Sequence, residues 1–457
     1  MDLTPNKQMK PTHSDYYSPR AAAAIIIANM IGTGVFTSLG FQLLDINSGF
    51  ALLMLWCLGG IAALCGAASY AELGAALPRS GGEYNFLGRI YHPAAGFISG
   101  WVSALIGFAA PIAAVAIVFS KYSSSAIPGD FANSEIFQKS LAVAVVLIAT
   151  IIHGRNRTGS ARFQTVFTVM KILLVIGFCA AGLILTKETT PMVFTPQDGD
   201  FDVMTSGAFA VSLIYVSYAY TGWNAATYIS GEMENPQRDL PKVLVLGTGL
   251  VMVLYVLLNF VFLRVAPIDA MMGKEEVGYI AASYIFGDTG ARLVAAMLSL
   301  LLISTVSAMV LAGPRALQSV GEDFHAFRFL GKTNAAGVPR NAIYFQSFVA
   351  LVFIITSSFK FIVIFAGAML ALNSLLAVIG VFVLRWKEPD LPRPYKTWGY
   401  PFVPLIYIAL TTFTLIFVVK TSPGKALFAV AIILSGAVFY WVSERANTKP
   451  SSSSPQA

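Results

Sequence analysis

The sequence predicts an all-α polytopic membrane protein that crosses the bilayer about 12 times. Of its 457 residues, 56% are hydrophobic and only 12% are charged, whereas charged residues make up about one quarter of a soluble domain. Apolar stretches of roughly 20 residues, long enough to cross the hydrocarbon core, recur from Ala21 to Trp441 with short polar breaks. This apolar surface needs lipid to cover it, so one transmembrane bundle is favoured over several soluble domains.

The predicted spans follow one another with short connections. They lie at residues 20–44, 50–77, 93–121, 139–153, 162–186, 205–230, 241–265, 288–319, 339–357, 359–385, 402–420 and 425–443. The fourth is short, which indicates either a tilted helix or an underestimated length. We expect a cytoplasmic N-terminal segment, a ten-helix core, two additional C-terminal helices and a disordered cytoplasmic tail, at residues 1–19, 20–386, 387–445 and 446–457.

The distribution of Lys and Arg predicts the orientation of the bundle. About 20 basic residues fall on one side and about 9 on the other, and the richer side normally faces the cytoplasm. We therefore expect a multi-pass protein of the cell membrane with both termini in the cytoplasm. The N-terminal segment has no apolar core, so it is not a cleavable signal peptide. The net charge of +7 is spread between the spans, and no nucleic-acid partner is expected.

The sequence lacks the common signatures of an enzyme. No zinc spacing, phosphate-binding loop or nucleophile elbow is present, and no nucleophile and base cluster in the spans. We expect no catalytic residue, no cofactor and no metal site. Cys57, Cys65 and Cys179 fall inside spans and imply no disulfide framework. His153 and His325 lie near inner boundaries, where we expect ordinary surface residues.

Two spans contain clusters that weaken a helix. Residues 29–36, NMIGTGVF, place Gly32 and Gly34 near the middle of the first span, and each glycine costs about 1 kcal/mol in a helix interior. Residues 218–224, YAYTGWN, place Gly222 among polar side chains at a similar depth of the sixth span. Glycine in a membrane helix is also a close-packing residue, but matching clusters five spans apart favour an inverted repeat of spans 1–5 and 6–10.

Interrupted spans predict a binding site. Unpaired backbone inside a membrane is tolerated only where protein buries it or where it lines a cavity, so both interruptions should meet at a central site. Freed amides at the start of the outer half of the first span suit a carboxylate. Freed carbonyls on both spans accept hydrogen bonds from an ammonium. Donors and acceptors together fit the head of an α-amino acid.

Several motifs carry a family resemblance. The sequence GTGVF at residues 32–36 resembles the GSGIF-type motif of the amino acid, polyamine and organocation (APC) superfamily of transporters. The segments YAEL and PRSGGEY are similar to the family's second span and first inner loop, at residues 70–73 and 78–84. The segments YTGWN, GEMENP and GPR are similar to its sixth and eighth spans, at residues 220–224, 231–236 and 313–315. The resemblance covers roughly residues 18–445 and is strongest to L-type amino acid transporters and their bacterial relatives.

This resemblance implies a fold, a function and a set of site residues. The fold is the five-plus-five inverted repeat (LeuT/APC fold) with discontinuous helices 1 and 6, and the mechanism is alternating access. Tyr218 holds the position of the outer gate, and Tyr220 and Asn224 that of the side-chain pocket. The implied substrate-binding residues are Met30, Ile31, Gly32, Thr33, Gly34, Tyr218, Ala219, Tyr220, Thr221 and Asn224.

The expected substrate is a neutral L-amino acid, because no additional charged residue lies near either interruption. Transport is expected to be sodium-independent, either as exchange or coupled to protons. The expected partners are thus the amino acid, the lipid bilayer and, for the coupled mode, protons. The alternatives are a transporter of another amine or organocation of the superfamily, an ion channel, a membrane enzyme, or a subunit that needs a trafficking partner.

Lys171 lies within the fifth predicted span. It sits eight residues into the apolar run 163–185, roughly 12 Å from one end and 21 Å from the other. Exposing its charge to lipid costs about 2.5 to 3.5 kcal/mol, so it should face the bundle interior. In the family, such a lysine places its ammonium where sodium-coupled members bind sodium. We expect partners among the carbonyls of span 1 and Ser304 or Thr305; the alternative is a lysine beside a polar cavity without a mechanistic role.

Charged residues at the inner ends of the spans suggest a cytoplasmic gate. Glu72, Arg79, Glu83 and Arg89 are candidates for ion pairs made in only one state of the transporter, and Arg315 and Asp323 are a second candidate set. The alternative is solvation at the membrane interface.

Overall fold

The computed structural model describes residues 17–155, 160–186, 190–324, 327–335 and 337–447, so His325 lies outside the described residues. The described chain is 81% helical and contains no strand. Ten of its helices are long and apolar enough to cross a membrane. Two shorter apolar helices, Gly207–Ala219 and Arg340–Thr356, occupy the remaining two predicted positions. The predicted all-α polytopic architecture is therefore confirmed.

The helix bounds follow the predicted order. Spans 1 to 5 are Pro19–Met30 with Gly34–Gln42, Gly49–Ala76, Pro93–Val102 with Ala109–Ala126, Glu135–Arg155 and Ser160–Leu185. Spans 6 to 10 are Gly207–Ala219 with the 3₁₀ helix Ala225–Glu232, Pro236–Val265, Val277–Ala312, Arg340–Thr356 and Phe359–Lys387. Spans 11 and 12 are Phe402–Thr421 and Pro423–Asn447. Shorter helices are Glu83–Ile90, Ser103–Gly107, Asp130–Asn133, Asp200–Thr205, Ile268–Met271, Pro314–Asp323 and Arg328–Gly331.

Serine side chains mark where several spans begin. Ser18 Oγ accepts a hydrogen bond from the backbone N–H of Ala21, and Ser48, Ser206 and Ser358 cap spans 2, 6 and 10 in the same way. Such a cap satisfies a backbone donor that has no partner within the helix. These residues therefore fix the starts of four spans.

The fourth span was underestimated from the sequence. Its apolar run suggested residues 139–153, whereas the helix Glu135–Arg155 has 21 residues. At 1.5 Å per residue this is about 31 Å, enough to cross the hydrocarbon core without an unusual tilt. A 2.7 Å ion pair between Lys139 and Glu135 lies on its first turn, so charged residues extend the helix beyond the apolar run.

The predicted interruptions of spans 1 and 6 are present. The first helix ends at Met30 and a new one begins at Gly34. The sixth ends at Ala219, and Gly222 then adopts a φ of +98°, a conformation that favours glycine. A side chain at Gly222 would lie 2.8 Å from Cβ of Asn29, so the two interruptions also meet in space.

Spans five positions apart pack against each other. The second contacts the seventh, the third contacts the eighth, and the fourth contacts the ninth. This pattern is the one expected of two repeats related by a two-fold axis. The most apolar window of span 1 is 94% buried, and that of span 12 is only 11% buried. The interrupted spans thus form the centre of the bundle, and span 12 lies at its edge.

The expectation that His153 is a surface residue is wrong. The side chain is buried, and its Nε2 lies 2.7 Å from Oγ of Ser307 in span 8. Because His153 is on span 4, this pair joins two spans inside the bundle. His153 does lie in the last turn of span 4, as predicted, but the packing of span 8 against this turn buries it.

Candidate functional site

The interruption of span 1 exposes backbone donors within the protein. Among the described residues, no hydrogen-bond acceptor is found for the backbone N–H of Thr33, Gly34 or Val35. These amides begin the second helix of the span, whose N-terminus carries partial positive charge. This is the arrangement expected for carboxylate binding.

The two interruptions touch at Gly34. A Cβ atom added to Gly34 would lie 2.4 Å from Cα of Ala219, closer than real Cβ contacts come. Both residues belong to the predicted site. The structure brings them together in direct backbone contact, so a ligand between them requires spans 1 and 6 to separate locally.

Tyr255 of span 7 connects the same two interruptions. Its hydroxyl donates a hydrogen bond to the carbonyl oxygen of Met30 and lies 3.3 Å from that of Ala219. The side chain is fully buried and packs edge-on against Trp56. Sequence reasoning missed Tyr255, although a tyrosine in the middle of an apolar span is a signal for a polar partner.

The ammonium of Lys171 bridges spans 1 and 8. Its Nζ lies 3.1 Å from the carbonyl oxygen of Ala28 and 2.7 Å from Oγ1 of Thr305. Thr305 Oγ1 in turn lies 3.3 Å from the carbonyl oxygen of Ile31. The lysine faces the bundle interior, and its partners are of the kind that the sequence suggested.

A cavity lies beside the interruption of span 6. Its wall is drawn from spans 1, 2, 3, 6, 8, 10 and 11. Tyr220, Thr221 and Asn224 of the predicted site form part of it, as do Gly222 and Trp223 between them. The remaining predicted residues lie outside this wall, at the contact between spans 1 and 6: Met30, Ile31, Gly32, Thr33, Gly34, Tyr218 and Ala219.

The side chains of the cavity wall are aromatic, aliphatic, small or neutral polar. Phe108 and Tyr228 pack at a right angle on one side, and Ser374 and Thr411 contribute hydroxyl groups. Within the part of the chain that the structure describes, no Lys, Arg, Asp or Glu side chain belongs to the wall. The wall therefore offers no opposite charge to a charged side chain.

Tyr218 is buried between spans 6 and 10. A Cβ atom added to Gly367 of span 10 would lie 3.5 Å from Cβ of Tyr218, so the tyrosine packs closely where the two spans meet. Its carbonyl oxygen accepts hydrogen bonds from the backbone N–H and the hydroxyl of Thr221. Movement of span 6 relative to span 10 would therefore move Tyr218.

Contacts also join separate elements at the predicted outer end of the bundle. The N–H of Gly273 donates to the carbonyl oxygen of Gly40, which joins the loop before span 8 to the end of span 1. In this loop, Glu275 lies 3.4 Å from Lys121 of span 3. Burial raises the pKa of the Glu275 carboxyl, and the nearby Lys121 opposes this effect.

Ion pairs hold the predicted inner end, but among the described residues none joins two members of the same predicted set. Arg79 binds Asp323 at 2.8 Å, and Arg89 binds Glu388. The Asp323 carboxylate raises the pKa of the Arg79 guanidinium, because it stabilises the charged form. The suggested pairing of Arg315 with Asp323 is wrong.

Arg315 instead binds Glu232 at 3.1 Å, close to the point where Tyr17 N–H donates to the Glu232 carbonyl. The helix Pro314–Asp323, which follows span 8, is thereby joined to the end of span 6 and the start of span 1. The sequence offered no signal for this partner, because the packing of distant spans decides which of their side chains meet.

Two buried carboxylates near the inner end have different surroundings. Glu72 receives two hydrogen bonds from Arg385, at 2.8 and 2.7 Å, and one from the N–H of Thr397. Arg393 also lies 3.6 Å from Glu72. Glu83 is equally buried, but its partners are the neutral side chains of Tyr70, Asn224 and Tyr228.

Comparisons with known proteins agree with this architecture. A family profile described as amino acid permease matches residues 17–438. The chain is 27% identical to the b(0,+)-type amino acid transporter 1 of Mus musculus over 427 residues, which cover 92% of this chain and 85% of the relative. It is 28% identical to the large neutral amino acids transporter small subunit 2 of Homo sapiens over 448 residues, covering 94% and 80%.

Proposed function

This chain belongs to the amino acid permease family of the APC superfamily, and we propose that it carries neutral L-amino acids by alternating access without sodium, as an exchanger or coupled to protons. Amino acid transport and a multi-pass membrane setting follow from the family and from the helices long enough to span a membrane. The proposal concerns the substrate, the coupling and the residues that perform transport.

The uncharged wall of the cavity is the observation that best supports a neutral substrate. Burying an unpaired charge costs far more than burying an apolar or hydrogen-bonded group. A cationic or anionic side chain in this cavity would lack an opposite charge, whereas aliphatic and hydroxyl-bearing side chains match its aromatic and hydroxyl groups. The name of the human relative, which specifies large neutral amino acids, points in the same direction.

The head of the amino acid would bind where spans 1 and 6 are interrupted. The carboxylate would bind to the amides of Thr33 and Gly34. The ammonium would donate hydrogen bonds to backbone carbonyls, those of Met30, Tyr218, Ala219 and Thr221. Because Gly34 and Ala219 are in contact, substrate would enter when the two interruptions separate. Tyr218 would then close the site from the outer side.

Lys171 supports independence from sodium. Its ammonium already joins a carbonyl of span 1 to a hydroxyl of span 8. A sodium ion at this position would meet the ammonium of the lysine, and like charges a few ångströms apart repel. We therefore propose that the lysine replaces the ion that would otherwise hold these spans together. We also propose that the protein lies in the cell membrane with both termini in the cytoplasm.

Counterflow in liposomes tests the substrate class. Purified protein is reconstituted with unlabelled leucine, serine, lysine or glutamate inside, and uptake of the labelled outer amino acid is measured. We expect leucine or serine inside to accelerate uptake of a labelled neutral amino acid, and lysine and glutamate to have little effect. Protein-free liposomes provide the control for leakage.

The alternatives give different results in the same assay. A channel would show uptake that neither saturates nor depends on the inner amino acid. Acceleration by lysine, or by another amine in place of an amino acid, would contradict a neutral substrate while leaving transport itself in place.

A further inference from the structure

Glu83 joins three parts of the inner end without a cationic partner. Its Oε1 accepts hydrogen bonds from Tyr70 Oη of span 2 at 2.8 Å and from Asn224 Nδ2 of span 6 at 2.6 Å. Its Oε2 is bonded to the hydroxyl of Tyr228. The carboxylate is 1% exposed, and no Lys, Arg or His within the described ranges lies within ion-pair distance of it.

The groups that face Glu83 are neutral on every side. Tyr70 comes from span 2, and Asn224 and Tyr228 come from span 6. An ionised carboxylate accepts hydrogen bonds, and the Asn224 amide nitrogen can only donate. The three contacts therefore suit the ionised form, but neutral donors compensate burial of a charge less fully than a cation does.

Glu72 provides the contrasting case. It is as deeply buried as Glu83, yet a guanidinium pairs with both of its oxygens. Adding a proton to Glu72 would leave Arg385 without its carboxylate, so Glu72 is fixed in the ionised form. Among the described residues, no guanidinium or ammonium binds Glu83, so a proton on this carboxylate would leave no cation without its partner.

Glu83 is also hydrogen-bonded to residues of the cavity wall. Two of its three partners, Asn224 and Tyr228, are part of the cavity wall. Water in an open cavity would need to displace only one of these side chains to reach the carboxylate. The same two residues follow the interruption of span 6, whose movement is part of the proposed transport cycle.

We propose that Glu83 binds a proton that is transported with each amino acid, and that this proton releases the inner end for opening. The proposal rests on the proposed transport of neutral amino acids and selects the proton-coupled mode. When the cavity opens to the outer side, hydronium in it transfers a proton to a Glu83 oxygen, leaving water and a neutral carboxylic acid. The oxygen that gains the proton loses a hydrogen bond from its donor, and span 6 separates from the helix Glu83–Ile90.

Once the inner end is open, the proton leaves to cytoplasmic water. Glu83 then regains its negative charge and again accepts hydrogen bonds from Tyr70, Asn224 and Tyr228. No other reactant is needed, because the cycle moves one proton in the same direction as one neutral amino acid.

Simultaneous measurement of proton and amino acid uptake tests this assignment. Liposomes with wild-type protein and a trapped pH indicator receive labelled leucine or serine at an outer pH below the inner pH. We expect roughly one proton per amino acid, since one carboxylate binds one proton. Glu83→Gln should lower this ratio to near zero in whatever amino acid flux remains.

Glu72→Gln is the matched control, because it removes an equally buried carboxylate from the same end of the bundle. Its proton-to-amino-acid ratio should equal that of the wild type, even where its total flux is lower. A loss of the ratio in both variants, or a retained ratio in Glu83→Gln, would overturn the role of Glu83.

A second variant covers the case in which Glu83→Gln is inactive. Tyr70→Phe removes one donor to the carboxylate from outside the cavity wall, which makes protonation easier. The midpoint of the dependence of transport on outer pH should rise by about one unit. No rise would contradict the proposal. Wild-type counterflow without proton uptake would also contradict it while leaving the proposed function intact, whereas absence of counterflow would remove the proposed function itself.

Discussion

The two interrupted spans share contacts with the Tyr255 hydroxyl but differ in the other groups that surround their backbone. Around the interruption of span 1, protein groups occupy the exposed carbonyls: Lys171 binds that of Ala28, and Tyr255 that of Met30. The interruption of span 6 instead forms the wall of a cavity through residues such as Gly222 and Asn224. The contacts of Lys171 and Tyr255 brace span 1 at its interruption, whereas the interruption of span 6 is open to a cavity. Span 6 is therefore expected to adapt to the substrate while span 1 keeps its position.

This difference has a consequence for the transport cycle. A brace holds span 1 against spans 7 and 8, and Gly34 then sets how closely span 6 approaches it. Changes to the contacts that hold span 1 should therefore affect every substrate, and changes to the cavity wall should alter substrate preference.

Lys171→Ala should have the largest effect. It removes a charge-assisted hydrogen bond of about 1.5–3 kcal/mol and leaves the acceptors of spans 1 and 8 buried, so transport should fall about 10- to 100-fold while the protein still expresses. Initial uptake rates, normalised to purified monodisperse protein, provide the measurement. Lys139→Ala, which breaks an exposed pair on span 4, is the control. Full activity of Lys171→Ala would show that the brace is not needed.

Gly34→Val should have the next largest effect. Any side chain at Gly34 would overlap the backbone of Ala219, so spans 1 and 6 would be forced apart and the nearby amides crowded. Overpacking of this kind costs typically 1–3 kcal/mol, and we expect substrate affinity to fall about tenfold. Binding is measured on detergent-purified protein by titration calorimetry. Gly249→Val is the control, since a side chain there meets open space. Near-normal affinity would move the carboxylate site away from Gly34.

Tyr255→Phe should have the smallest effect of the three. It keeps the ring that packs on Trp56 and removes only the hydroxyl that serves Met30 and Ala219. A neutral hydrogen bond contributes about 1 kcal/mol, so we expect about a fivefold slower transport of all neutral substrates alike. Uptake is compared with that of Tyr284→Phe, an exposed tyrosine of span 8. A change in substrate preference would place Tyr255 in the side-chain pocket.

The sequence predicted what depends on local pattern. Apolar length located the spans, and glycine clusters located both interruptions, because the cost of glycine in a helix is local. The position of Lys171 inside an apolar run was enough to predict that its side chain faces the bundle interior. These arguments need no knowledge of which spans are neighbours.

What the sequence missed depends on long-range contact. Tyr255 donates a hydrogen bond to a carbonyl of span 1, and Arg315 binds Glu232 although Asp323 is nearer in the sequence. The same holds for Glu72 and Glu83, which look alike in the sequence and differ only in whether distant arginines reach them. The underestimated fourth span had a different cause, because a charged first turn interrupted the apolar pattern.

The most direct test of the braced interruption is the dependence of wild-type transport on sodium. Counterflow of a neutral amino acid is measured in liposomes with sodium on both sides and then with sodium fully replaced by choline. Because the Lys171 ammonium already bridges spans 1 and 8, we predict equal initial rates in the two conditions. A rate that falls with sodium removal and recovers on its return would contradict the account.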